Sequence, residues 1–110
     1  MKQYVIDELR PEDQERLKQH LDKNFGISEV EGIYWIPVES EYLTPEQEQH
    51  KECGPHFIAL VLEQNMLSCE FLVRTKNRVR CNCMGYATRV QRNWIMEFID
   101  ALLEAMDIKI

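Results

Sequence analysis

The segment RVRCNCMGYATRVQRNW, residues 78–94, gathers much of the chain's reactive chemistry. Cys81 and Cys83 stand one residue apart, arginines occupy 78, 80, 89 and 92, and Gly85 precedes a helix-start pattern. A thiolate binds soft metals or attacks electrophiles, an arginine grips oxyanions in a fork, and a buried thiol is a small apolar side chain. Zinc is the first chemistry these residues suggest: Cys53, His56, Cys81 and Cys83 form a Cys/His ligand set, and CGPH is a tight turn able to hold two of them. The C-x-C spacing is closer than the usual C-x2-C. If the β-segments holding His56 and Cys83 flank a third strand, their backbones stand roughly 10 Å apart, wide for one tetrahedral ion.

The second chemistry is oxyanion catalysis. CMGYATR, residues 83–89, fits C-x5-R and resembles the phosphate loop of cysteine-dependent protein tyrosine phosphatases. That resemblance covers seven residues and implies Cys83 as nucleophile and Arg89 as oxyanion clamp. Backbone N–H groups and a helix start would lower the thiol pKa and hold the phosphate. The segment departs from that family at Asn82, where histidine is frequent, and at Val90, where a hydroxyl residue is frequent. The third reading is structural. Cys69, Cys81 and Cys83 fall on one face of adjacent β-segments and line a core under the C-terminal helix. This reading is the one the sequence favours.

The opposite face of those segments carries a different chemistry. A three-residue KNR loop brings Phe57, Arg74 and Arg80 into line across three strands, followed by Ala59, Leu72 and Asn82. Arg74 beside Arg80 calls for a negative group, supplied by the SEYLTPEQEQHKE segment or by a partner. Aromatic and arginine side chains on a half-apolar face are typical of protein–protein interfaces. Phe57, Arg74, Arg80 and Asn82 are therefore the candidate binding residues. Tyr86 or Phe57 beside arginines also suits base stacking, but the acidic remainder of the chain opposes phosphates and no RNA-binding motif is present.

These residues must be positioned by a small domain. The chain has 110 residues, 45% apolar and 29% charged, with net charge −6, enough for one core and one domain spanning 1–110. The charge is uneven: residues 1–70 hold six Lys/Arg against fifteen Asp/Glu, residues 71–110 seven against four. KQYVIDEL reads as a strand. RPEDQERLKQHLDKNFG reads as a helix, with Pro11 first, acids in its first turn, Gly26 as its stop, and a narrow stripe of Leu17, Leu21 and Phe25. EGIYWIPVE is apolar on both faces and reads as a buried strand, with Tyr34, Trp35 and later Trp94 as core. Thr44 with Gln47 and Thr88 with Gln91 form capping boxes. The first opens a short polar helix. The second opens a long one whose stripe is Ile95, Phe98, Ile99, Leu102 and Met106.

HFIALVLEQ, LSCEFLVRT and VRCNCM read as an antiparallel meander. The expected fold is α+β, in the order β-α-β-short α-β-β-β-α: a mostly antiparallel sheet of about five strands with the C-terminal helix on one face. The longest apolar run, FIALVL, is too short to span a bilayer. No signal-peptide core follows Met1, so a cytoplasmic location with reduced thiols is expected. No P-loop, dinucleotide fingerprint or Ser–His–Asp pattern can be read from the spacing. The expected function is non-catalytic binding of a protein partner or of a second copy, without a cofactor. The alternatives are the Cys83–Arg89 thiol enzyme and the Cys/His zinc domain.

Overall fold

The computed structural model describes residues 2–26, 30–50, 55–75 and 84–108. The expectations placed on Cys53, Arg80, Cys81, Asn82 and Cys83 lie outside them. The described residues form an α+β fold with three helices and one six-stranded, antiparallel sheet. In chain order these are β1 (Gln3–Ile6), α1 (Pro11–Phe25), β2 (Ile33–Pro37), a 3-10 turn (Ser40–Tyr42), α2 (Pro45–Gln49), β3 (His56–Glu63), β4 (Met66–Glu70), β5 (Leu72–Thr75), β6 (Gly85–Tyr86) and α3 (Arg89–Ala105). No described helix is long and apolar enough to cross a membrane.

β3 is the spine. It pairs with β2 on one side and with β4 and then β5 on the other. β4 and β5 are one strand bent at Phe71. Between the pairs Leu60–Cys69 and Phe57–Arg74, three steps along β3 are matched by five along β4–β5. This bulge of two residues keeps the inward and outward alternation intact while it bends the strand. Beyond the bend the sheet edge divides: β1 pairs with β4, and β6 pairs with β5. Phe71 serves both, its N–H donating to the Lys2 carbonyl at 3.0 Å and its carbonyl accepting from the Ala87 N–H at 2.9 Å.

Pairing across the sheet aligns side chains in rows. One row is Tyr34, Leu60, Cys69 and Tyr4; its neighbours are Ile36 with Ile58, and Leu62 with Leu67 and Ile6. These rows face α1 and α3, whose Leu17, Leu21, Ile95, Ile99 and Leu103 are buried in the same cluster. Burial of each large aliphatic side chain contributes roughly 1.5–3 kcal/mol, so this layer supplies most of the driving force. Polar ties fix the helices over it. The Tyr34 hydroxyl donates to Asp22 of α1 at 2.6 Å and the Tyr4 hydroxyl to Asp100 of α3 at 2.5 Å.

Both capping boxes form, and they interlock. Thr44 and Gln47 close α2, Thr88 and Gln91 close α3, and the Gln91 Nε2 donates to the Gln47 Oε1 and to the Tyr42 carbonyl, each at 2.9 Å. Tyr42 stacks on Trp94 beside this knot, ring centroids 5.5 Å apart. Gly32 leads into β2 with φ +88°, and a Cβ there would meet the Leu62 carbonyl oxygen at 2.7 Å. That close approach to β3 requires glycine.

Two sequence expectations change. Among the described residues β2 pairs only with β3 and is an edge, not a buried strand. Trp35 is accordingly 41% exposed, whereas Tyr34 and Ile36 are buried. Pro37, which has no N–H to offer a further neighbour, suits that edge. The strand after β5 also pairs further along the chain: Tyr86, not Asn82, lies opposite Leu72. The register is held from its far side, by the Ala87–Phe71 hydrogen bond and the cap of α3.

Candidate functional site

With α1 and α3 on one face, the other face of the sheet is left without a described helix over it. Its rows alternate with those of the core: Ile33, Val61, Ser68 and Val5; Trp35 with Ala59; Pro37, Phe57 and Arg74; Gln3 with Glu70; and Leu72 with Tyr86. Nine of these thirteen side chains are apolar or aromatic, which is unusual for a face turned away from the core. The small Ala59 and Ser68 are buried in the middle, while Trp35, Val5 and Tyr86 stand 41%, 37% and 72% exposed.

Phe57 and Arg74 are neighbours on β3 and β5, as the sequence reading aligned them. The Arg74 Nε donates to the Glu70 carboxylate at 2.6 Å, one pleat away on the same face. Among the described residues the acid that answers Arg74 is therefore Glu70. Both groups are partly solvated, so the pair is worth about 0.2–1 kcal/mol. It adds no net charge, and the face remains largely apolar. Of the four candidate binding residues, the structure brings Phe57 and Arg74 together; Arg80 and Asn82 lie outside the described residues.

At the divided edge the face runs into a notch of about 580 Å³ lined by Lys2, Phe71, Tyr86, Ala87 and Arg92. Phe71 uses its backbone donor and acceptor on Lys2 and Ala87, so the notch offers ring surface and two cationic side chains. Arg89, the clamp of the phosphatase-like reading, is the exposed first residue of α3. The neighbouring Thr88 hydroxyl accepts from the Gln91 N–H at 3.2 Å, so the side-chain cap of the helix is already in use. Cys83 is outside the described residues. Cys69 is within them: fully buried, its thiol is pushed up to about 12 by desolvation, reinforced by Glu70. Such a thiol is core rather than nucleophile, as expected for Cys69.

His56, the one described member of the zinc set, begins β3 on the core side and is 4% exposed. It lines a cleft of about 680 Å³ with Val38, Ser40, Leu43, Gln47, Glu48 and Pro55. Its buried Nε2 has no hydrogen-bond partner among the described residues. Desolvation, with His50 adding to it, lowers its pKa and keeps it neutral near pH 7. Among the described residues no group of three His, Cys, Asp or Glu side chains is placed to hold a metal ion.

Sequence reasoning assigned Trp35 to the core and passed over Val5, Lys2 and Arg92. A signal for Trp35 was present. Tyr34 and Ile36 alternate with Ile33, Trp35 and Pro37, and the proline marks an edge where one face meets solvent. For Lys2 and Arg92 no sequence signal exists, because the backbone bonds of Phe71 to Lys2 and Ala87 are what bring them to one notch. Comparison with protein-family models, curated proteins and solved structures finds no match to this chain.

Proposed function

We propose that the protein is a non-catalytic interaction module that docks a protein partner on the open sheet face, in the manner of an adaptor, a single-client chaperone or an inhibitor. The observation that carries this reading is Trp35, a tryptophan 41% exposed at the rim of an apolar four-strand surface. Tryptophan is among the strongest interface anchors, and a contiguous apolar surface turned to solvent marks an interaction site. The Arg74–Glu70 pair gives the surface a polar feature that can rearrange toward a partner. A cytoplasmic setting, where thiols remain reduced, suits the unpaired Cys69.

The test is photo-cross-linking inside cells, with a benzophenone amino acid at position 35 and, as control, at Val90, which is exposed on α3. A discrete adduct with another protein from position 35 and none from position 90 is expected. An adduct of twice the chain mass would make the partner a second copy. Identical adducts from both positions, or none from position 35, would overturn the proposal.

A further inference from the structure

The open face alone is too small for a stable complex. Four strands about 4.8 Å apart and five residues long give a sheet of about 20 Å by 17 Å, under half of the ~800 Å² that each partner contributes to a standard interface. A partner seated on it must reach over a rim. The notch lies on one such rim, continuous with the face because Tyr86 pairs with Leu72.

The cations there differ from most others among the described residues. Arg10 and Arg16 pair with Asp13, Lys18 with Asp22, and Arg74 with Glu70. Lys2 and Arg92, with Arg89 beyond them on α3, make no such pair among the described residues. In a chain of net charge −6, two unanswered cations beside one cavity form a local positive field against the overall sign. The notch also holds apolar surface, in Phe71, Tyr86 and Ala87.

We infer that the notch receives an acidic segment of the partner protein, its carboxylate between Lys2 and Arg92 and an adjoining apolar side chain against Phe71 and Tyr86. This rests on the open face being the partner surface. Arginine meets a carboxylate with two parallel hydrogen bonds and lysine adds a point charge, while the rings take the neighbouring side chain. Phe71 has its N–H and carbonyl committed and Thr88 is occupied in its capping box. The anion is held by side-chain charge, and binding weakens as salt rises. Nucleic acid is the poorer occupant, because a long polyanion would run past Glu70 and across a surface that is acidic overall.

The test uses the full chain labelled with 15N and titrated with small probes: acetyl-Phe-Glu-amide, its glutamine analogue acetyl-Phe-Gln-amide, acetylphenylalanine, acetylphenylalanine amide, and an eight-residue oligothymidylate. The expected result is a shift of the Lys2, Phe71, Tyr86, Ala87 and Arg92 amides by an acid probe, at least about tenfold tighter than by its amide counterpart. Tighter binding of acetyl-Phe-Glu-amide assigns a side-chain carboxylate, and tighter binding of acetylphenylalanine a chain terminus. Lys2→Gln and Arg92→Gln, which break no ion pair and leave the melting temperature unchanged, should each weaken the acid probe about fivefold or more. Equal binding of acid and amide, no response at these residues, or tighter binding of oligothymidylate there would overturn the inference. A silent notch with persistent cross-linking from position 35 overturns the notch alone. A responsive notch without that cross-link overturns the sheet-face reading alone.

Discussion

The two faces of the sheet use the same kinds of residue for different ends. On the inner face Tyr4 and Tyr34 are fastened by their hydroxyls to Asp100 and Asp22, one on each long helix, and the rows between them are sealed. On the outer face the aromatics are Trp35, Phe57 and Tyr86, and no helix acid meets them; Trp35 and Tyr86 are open to solvent. An aromatic tied at both ends adds stability and a fixed helix position. An aromatic left open adds little to the fold and offers contact area at low entropic cost to whatever covers it. The contrast separates residues that hold this molecule together from residues available to another.

Leu60 and Trp35 give the sharpest test of that separation. Leu60→Ala empties a site that is 0% exposed in the middle of the inner face and should cost about 2–5 kcal/mol in urea unfolding. Trp35→Ser, one strand away on the other side, should cost under about 1 kcal/mol. Similar losses for both would mean that the outer face is also core. Next in size is Gln91→Ala, which breaks the joint between the two capping boxes and removes one donor from the part-buried Tyr42 carbonyl and one from the Gln47 Oε1. A loss of about 1–3 kcal/mol is expected, with weakened docking of α2 in hydrogen exchange.

The inner face also carries a pH signature. His56 has a folded-state pKa below its ordinary 6.5, through burial and through His50. The unfolded chain then binds a proton near pH 6 that the folded chain refuses. Stability contributed by neutral His56 is complete above pH 6.5 and falls as pH drops through it. His56→Met should flatten unfolding free energy between pH 7.5 and 5.5, and an unchanged slope would assign that dependence to other groups. The smallest effect belongs to the outer face again. Arg74→Gln removes a partly solvated pair and should change stability by about 0.2–1 kcal/mol, less in high salt.

Much of this architecture was legible in the residue pattern. Pro11 and Gly26 bracket α1, and the two Thr–Gln boxes mark the starts of α2 and α3 because local hydrogen bonding sets them. Ile58, Leu60, Leu62, Cys69 and Val73 share a buried face as their alternation requires. Phe57 beside Arg74 follows from the same alternation once β3 and β5 pair. The edge position of β2 was harder, since an apolar run looks alike in the middle and at the rim of a sheet. The Leu72–Tyr86 register and the notch depend on the bend at Phe71 and on Ala87 reaching back to it. Such long-range pairings leave no periodic trace. The same holds for Glu70 answering Arg74, a contact set by the bulge between them.

The most direct test of the division between the faces is one variant read in two ways. Trp35→Asp is compared with wild type for urea unfolding and for affinity toward the protein cross-linked from position 35. Affinity weakened by about a hundredfold or more is expected, with unfolding free energy changed by under about 1 kcal/mol. Unchanged affinity, or a collapse of stability that accounts for the lost binding, would contradict that division.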